Sequence, residues 1–187
     1  MIKFLTTLLF IGVIWAEPSP FIGEILEYSA GFRFFPAGHA ELSFQSDSLN
    51  GESVFRLTTS VQSNPFLDAV YKVRDKTISY IDIEYFSLLK IKQNLNEGNY
   101  NRNHEAIFLD DSISVAGKAN KFLSGKVYDP VAYIYFLRSA EQQIGNSYKF
   151  ISYSHKKIRE VMVNITGHEK IIVPAGEFNC LKVEPVS

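Results

Sequence analysis

Beyond residue 25 the apolar residues recur at every second position, in runs cut by turn formers, and a chain written this way is restricted to sheets. Leu26, Tyr28, Ala30, Phe32 and Phe34 alternate with Glu27, Ser29, Gly31 and Arg33. This is the period of a strand with one face buried. Pro36-Ala37-Gly38 reads as a turn, after which Ala40, Leu42 and Phe44 alternate with Glu41, Ser43 and Gln45, closing a first hairpin. Asn50-Gly51, inside Asp47 to Glu52, is the clearest turn in the chain and feeds a third strand with Phe55, Leu57, Thr59 and Val61 on one side.

The pattern continues. Asn64-Pro65 ends the third strand, Phe66 to Ala69 is expected to form one helical turn, and Val70 to Arg74 resumes as strand. Ile78 and Tyr80 follow, then Leu89, Ile91, Gln93 and Leu95 in alternation. Asn96 to Asn103 is expected to be a polar loop, Asp110-Asp111 the turn of another hairpin, and Gly117 to Gly125 a flexible connection. Tyr148 to Tyr153, Lys157 to Thr166, Lys170 to Val173 and Phe178 to Val183 read as the closing strands, the last two joined at Pro174-Ala175-Gly176. Fifteen Phe and ten Tyr supply the bulk that half-buried pleated surfaces favour.

One segment breaks the pattern. Asp129 is a good N-cap and Pro130 suits the first helical position, so the apolar run Val131 to Leu137 is expected to be a helix over about 129–143. Pro130, Tyr133, Ile134 and Leu137 would share one face. The expected fold class is mainly β: a curved antiparallel sheet, a meander that is half-barrel or barrel-like, packed on this one helix.

The first residues read as a secretory signal, with Lys3 as its positive start, Phe4 to Ile14 as its apolar centre and Ala16 before the cut. The expected organisation is a signal helix over 1–16 and a single β-rich domain over 17–187. The apolar run is shorter than the roughly 20 residues of a bilayer span, so no membrane span is expected once the signal is removed. Twenty Asp and Glu against 19 Lys and Arg leave no basic footprint for nucleic acid. Cys180 is the only cysteine, so no internal disulfide is expected.

Chemistry-bearing patterns are scarce. The histidines at 39, 104, 155 and 168 are scattered over different elements, without neighbours at ligand spacing. There is no phosphate loop, nucleophile elbow or Ser-x-x-Lys. The reading is a non-enzymatic chain with no catalytic residue, no metal and no cofactor. Arg138, at the end of an apolar helix, is expected to act in one of two ways. It pairs with a strand carboxylate, Glu24 being the first choice, to lock helix onto sheet, or it contacts an anion at the mouth of a cavity. The aromatic residues Phe32, Phe34, Phe44, Phe55, Tyr133 and Phe136 are most simply core; if the helix does not fill the concavity of the sheet, they line an apolar pocket, with Arg138 as a further ligand-contacting residue.

Three motifs in order carry a resemblance: Gly23-Glu24 through Tyr28, Asp129-Pro130 through Arg138, and Pro174-Ala175-Gly176 running into Phe178. Together they resemble the exported bacterial proteins grouped as domain of unknown function 3108. The resemblance implies a periplasmic or cell-envelope β protein with no assigned reaction. Ala132 stands where that family usually carries a serine, so no hydroxyl role carries over to it. The family usually continues past the last motif, so the chain is expected to be a shortened member or an incomplete reading frame. Two functions are expected. One is a non-catalytic envelope protein binding a lipid or other apolar ligand in the concave face of the sheet; the other is an assembly protein meeting an envelope partner through a sheet edge or loops.

Overall fold

The computed structural model describes residues 19–32, 35–109, 112–115, 118–122, 125–140, 142–154 and 156–186. The expected signal segment, Phe34, the Asp110-Asp111 turn, Gly117 and His155 lie outside them, as does the side chain of Phe32. Twelve strands form two sheets among the described residues. The large one is a meander in which each strand pairs antiparallel with the next: β1 (Ile25–Phe32), β2 (Phe35–Leu49), β3 (Glu52–Ser63), β4 (Arg74–Ile81), β5 (Leu88–Glu97), β6 (Tyr100–Leu109), β7 (Ser112–Val115) and β8 (Lys118–Phe122). No pairing joins β1 to β8 among the described residues, so the sheet is open and not a closed barrel.

The small sheet has the order β12-β11-β10-β9, with β9 (Val127–Tyr128), β10 (Ser147–Ser154), β11 (Lys157–Val173) and β12 (Gly176–Val186). Its β9 and β10 run parallel. A parallel pair needs a crossover, and the helix α2 (Pro130–Ser139) lies between the two strands in the chain. A short α1 (Pro65–Asp68) follows β3, capped by the Asn64 side chain, which accepts from the Leu67 amide at 2.9 Å.

The turns show why alternation was readable and loops less so. Asn50 and Gly51 both have positive φ, 54° and 88°, as a type I′ hairpin requires. Pro36-Ala37-Gly38, expected to be a turn, lies inside β2 instead. A Cβ on Gly38 would meet the Gln62 carbonyl oxygen at 2.2 Å, so this glycine serves close strand pairing. The asparagine-rich stretch expected as a loop is the paired ends of β5 and β6, turning at Gly98, with Asn94 donating to Asn103 across the strands at 2.6 Å. Within the expected flexible connection, Lys118–Phe122 forms β8. In each case a strand partner satisfies backbone groups that sequence polarity had assigned to water.

Helix α2 starts as expected and ends early. Asp129 accepts from the amides of Val131 and Ala132 at 2.7 and 2.9 Å. The chain leaves the helix at Ala140, whose amide caps the Phe136 carbonyl, while Gln142 donates to the Leu137 carbonyl. The helix therefore reaches Ser139 and not 143. Its orientation also departs from the sequence reading: Ala132, Tyr135 and Leu137 are buried and Ile134 is about half exposed. The helix has a sheet on two sides. Tyr135 faces the large sheet through Phe44, at a ring separation of 4.7 Å, while Tyr133 and Phe136 pack on Phe150 of the small sheet at 5.2 and 5.6 Å. One contiguous core, including Phe44, Leu57, Ile81, Ile91, Tyr135 and Val163, runs through all three layers.

Candidate functional site

Helix and small sheet fill only part of the large sheet's concave face. At the other part a cavity of about 460 Å³ remains, a size suited to a small ligand. The strand register explains its lining. One row across the sheet is Leu57, Ser79, Ile91 and Ala106, of which Leu57, Ser79 and Ile91 reach the cavity beside Pro130 and Val131 at the helix start. The next row outward is Thr59, Thr77, Gln93 and His104. Asp75, Glu97 and Arg102 stand further out, with Lys156 on the opposite side. Because alternate residues of a strand share a face, the concave surface grades from apolar floor to hydrogen-bonding middle to charged rim.

Among the buried polar groups that meet this cavity, beside Ser79, are His104 and Asp129. His104 is buried and its Nε2 lies 2.7 Å from the Tyr153 hydroxyl of β10, so the pair joins the two sheets. Burial, with Arg102 nearby, holds the His104 imidazole below its ordinary range and so favours its neutral form. Burial likewise pushes the Tyr153 phenol up. The second group is Asp129, 4 % exposed. Its Oδ1 caps the helix, but Oδ2 is buried without a hydrogen bond of ordinary geometry. Burial raises the Asp129 carboxyl, with the Ser79 hydroxyl and the two capping amides pulling the other way.

A raised carboxyl binds its proton more tightly in the folded state than in the unfolded one. Stability from this group is therefore greatest at low pH and declines as pH rises through the folded value. Asp129→Asn keeps a capping oxygen and cannot take on the charge that burial disfavours. It is expected to be more stable than the parent at pH 7 by roughly 1 kcal/mol, the scale of one unpaired buried oxygen. Thermal melts at pH 7 and pH 4 check this, and a lower melting temperature for the variant at pH 7 counts against it.

Arg138 forms a two-pronged ion pair with Glu24, Nη2 to Oε1 at 2.6 Å and Nη1 to Oε2 at 2.7 Å, and the Tyr135 hydroxyl also donates to Oε2 at 2.6 Å. The guanidinium sits over the rings of Phe21 and Tyr135, 4.5 and 4.9 Å from their centroids. The same arginine borders an apolar groove of about 240 Å³ between α2 and β1–β3, where Tyr28 and Ile134 are also found. Of the aromatic residues expected to line a pocket, Phe44 and Phe55 are buried in the core. Phe136 is half-buried among Tyr128, Tyr148 and Phe150. Tyr133 borders a further small cavity beside Ser152 and Pro185. Among the motif residues, Gly23 precedes β1 with φ 89° and bonds the Phe44 carbonyl through its amide at 2.9 Å. Pro174 and Ala175 form the turn of the β11–β12 hairpin, with Gly176 at φ 137° and Phe178 half exposed.

The cavity row was not singled out from sequence, although a signal for it was there. Thr59 sits between Leu57 and Val61, Gln93 between Ile91 and Leu95, and His104 two residues before the buried Ala106. A polar residue in the inward register of a strand marks either a partnered core position or a cavity.

Among the described residues, no three His, Cys, Asp or Glu side chains converge as metal ligands, and no helix is long and apolar enough to cross a membrane. What fold and site define is a mainly β protein, an open curved sheet closed over one helix by a smaller sheet, with a graded cavity in its concave face. The chain belongs to the family described as protein of unknown function (DUF3108), which matches it over residues 27–187. No curated protein and no solved structure matches it.

Proposed function

We propose that this is a non-catalytic protein of the periplasm or cell envelope that binds a small ligand in the open part of the concave sheet. The observation that supports this reading is the 460 Å³ cavity lined by residues from β3 to β6. Its inward row of polar side chains would be an uncompensated cost in a simple core. The apolar N-terminal segment with Lys3 and Ala16 supports export. Because floor and middle differ in polarity, the ligand carries both apolar surface and hydrogen-bonding groups.

Native mass spectrometry of protein taken without detergent from a periplasmic extract tests the proposal. A satellite mass of a few hundred daltons that leaves on denaturation is expected. Thr59→Trp, which fills the cavity, is expected to abolish it. Bare chain alone, in parent and variant, overturns the reading.

A second reading rests on the other sheet. Among the described residues β12 is an edge strand exposed along most of its length, and the hairpin it forms with β11 carries Ile172 and Phe178, 75 % and 48 % exposed. Such an edge is a template for another chain. In the same extract this reading predicts a co-purifying protein, lost on Phe178→Glu, in place of the small satellite.

A further inference from the structure

Resting on the cavity reading, the geometry points to the class of ligand: we infer that it is an uncharged polyhydroxylated molecule of mono- or disaccharide size. The row Thr59, Thr77, Gln93 and His104 lies on four adjacent strands in direct register. Strands are about 4.8 Å apart, so the row spans roughly 14 Å, the reach of two sugar rings. Among the described residues the side chains of Thr59, Thr77 and Gln93 have no hydrogen-bond partner, and all three are half-buried where the cavity begins.

The functional groups in the row are two hydroxyls, a carboxamide and an imidazole. Each hydroxyl and the carboxamide can both donate and accept. A ligand hydroxyl has the same double capacity and pairs with any of them. A carboxylate or phosphate only accepts, and an ammonium only donates, so either would leave half of the row's capacity unused. Charge around the cavity agrees. Asp75 and Glu97 are offset by Arg102 and Lys156, and Asp129 is only 4 % exposed, so the mouth selects neither anion nor cation.

A plain acyl chain fits less well. Laid along the row it would strip water from Thr59, Thr77 and Gln93 and return no hydrogen bond to any of them. The apolar floor of Leu57 and Ile91, with Val131 and Pro130 of the helix, instead meets the C–H faces that a sugar ring presents beside its hydroxyls.

Titration of the isotope-labelled full chain, followed by NMR, tests the assignment. The probes are maltose and diacetylchitobiose as neutral disaccharides and dodecanoate as an acyl chain. A disaccharide is expected to shift the Gln93 side-chain amide at about millimolar concentration or below. The double variant Thr77→Val with Gln93→Leu is expected to weaken this binding about tenfold or more, the equivalent of losing at least one hydrogen bond. Gln93→Glu, which preserves shape, is the second variant and is expected to weaken it too. Shifts with dodecanoate and with neither disaccharide overturn the sugar assignment while leaving the cavity reading standing. No shift with any probe, together with bare chain in the native mass spectrum, overturns both. Unchanged disaccharide affinity in the folded variants overturns the role of the row.

Discussion

Phe44→Ala is expected to lower the unfolding free energy by about 3–5 kcal/mol, enough to consume much of the stability of an ordinary domain. Phe44 is fully buried, and its ring meets those of Tyr135, Phe55, Phe21 and Phe86 at centroid separations of 4.7, 4.8, 5.9 and 6.3 Å. These four come from α2, β3, the segment before β1 and the loop after β4. Truncation leaves a void bordered by rings on separate elements. None can collapse into it without pulling its own element out of register, so the cavity cost is largely retained. Urea unfolding measures the effect as a lower midpoint at unchanged slope. A loss below about 1 kcal/mol would mean that helix and large sheet are not joined through this ring.

Arg138→Leu is the second large effect, and its signature is pH dependence. The Arg138 guanidinium holds the Glu24 carboxyl below its ordinary value of 4.5, with the Tyr135 hydroxyl helping and partial burial opposing. Burial and the neighbouring Glu24 push the Tyr135 phenol well above its ordinary range, so it stays a hydrogen-bond donor at all relevant pH. A carboxyl held low contributes stability that is present above the unfolded value of 4.5 and is lost as pH falls through the folded value. At pH 7 the variant is expected to lose about 1–2 kcal/mol. The range is set by charge-assisted bonds discounted for solvent, because the Arg138 side chain is 39 % exposed. The parent then loses part of its advantage below pH 4.5, where the two chains converge. Parallel urea curves at pH 7 and about pH 3 check this. An unchanged midpoint for the variant at pH 7 removes the structural role of the pair and favours the anion-contacting one.

The pair itself was foreseeable, because a cation at the end of an apolar helix needs a partner and Glu24 is a carboxylate beside the first strand. The cavity was less so. Its residues come from four strands, and only hydrogen-bond register decides that Thr59, Thr77, Gln93 and His104 form one row. A slip of one residue in any pairing would send a member to the convex face. The alternation also cannot tell which inward positions lie beneath the helix and which stand beyond it. Phe44 went into the core because Tyr135 of α2 packs on it, and Phe55 because Phe44 and Phe86 do; Gln93 faces open space because the helix starts at Pro130 and does not extend over it.

By itself the sequence determined the class of fold, since period-2 alternation, the Asn50-Gly51 turn and the Asp129-Pro130 helix start are local properties of bonded neighbours. The membership of its family followed from motifs spaced along the chain. Tertiary structure alone decided the parallel β9–β10 pair, the two-sided packing of α2 and the position of the cavity. Each of these depends on how distant strands align and how far one helix reaches across a sheet, and no local preference of the residues contains that information.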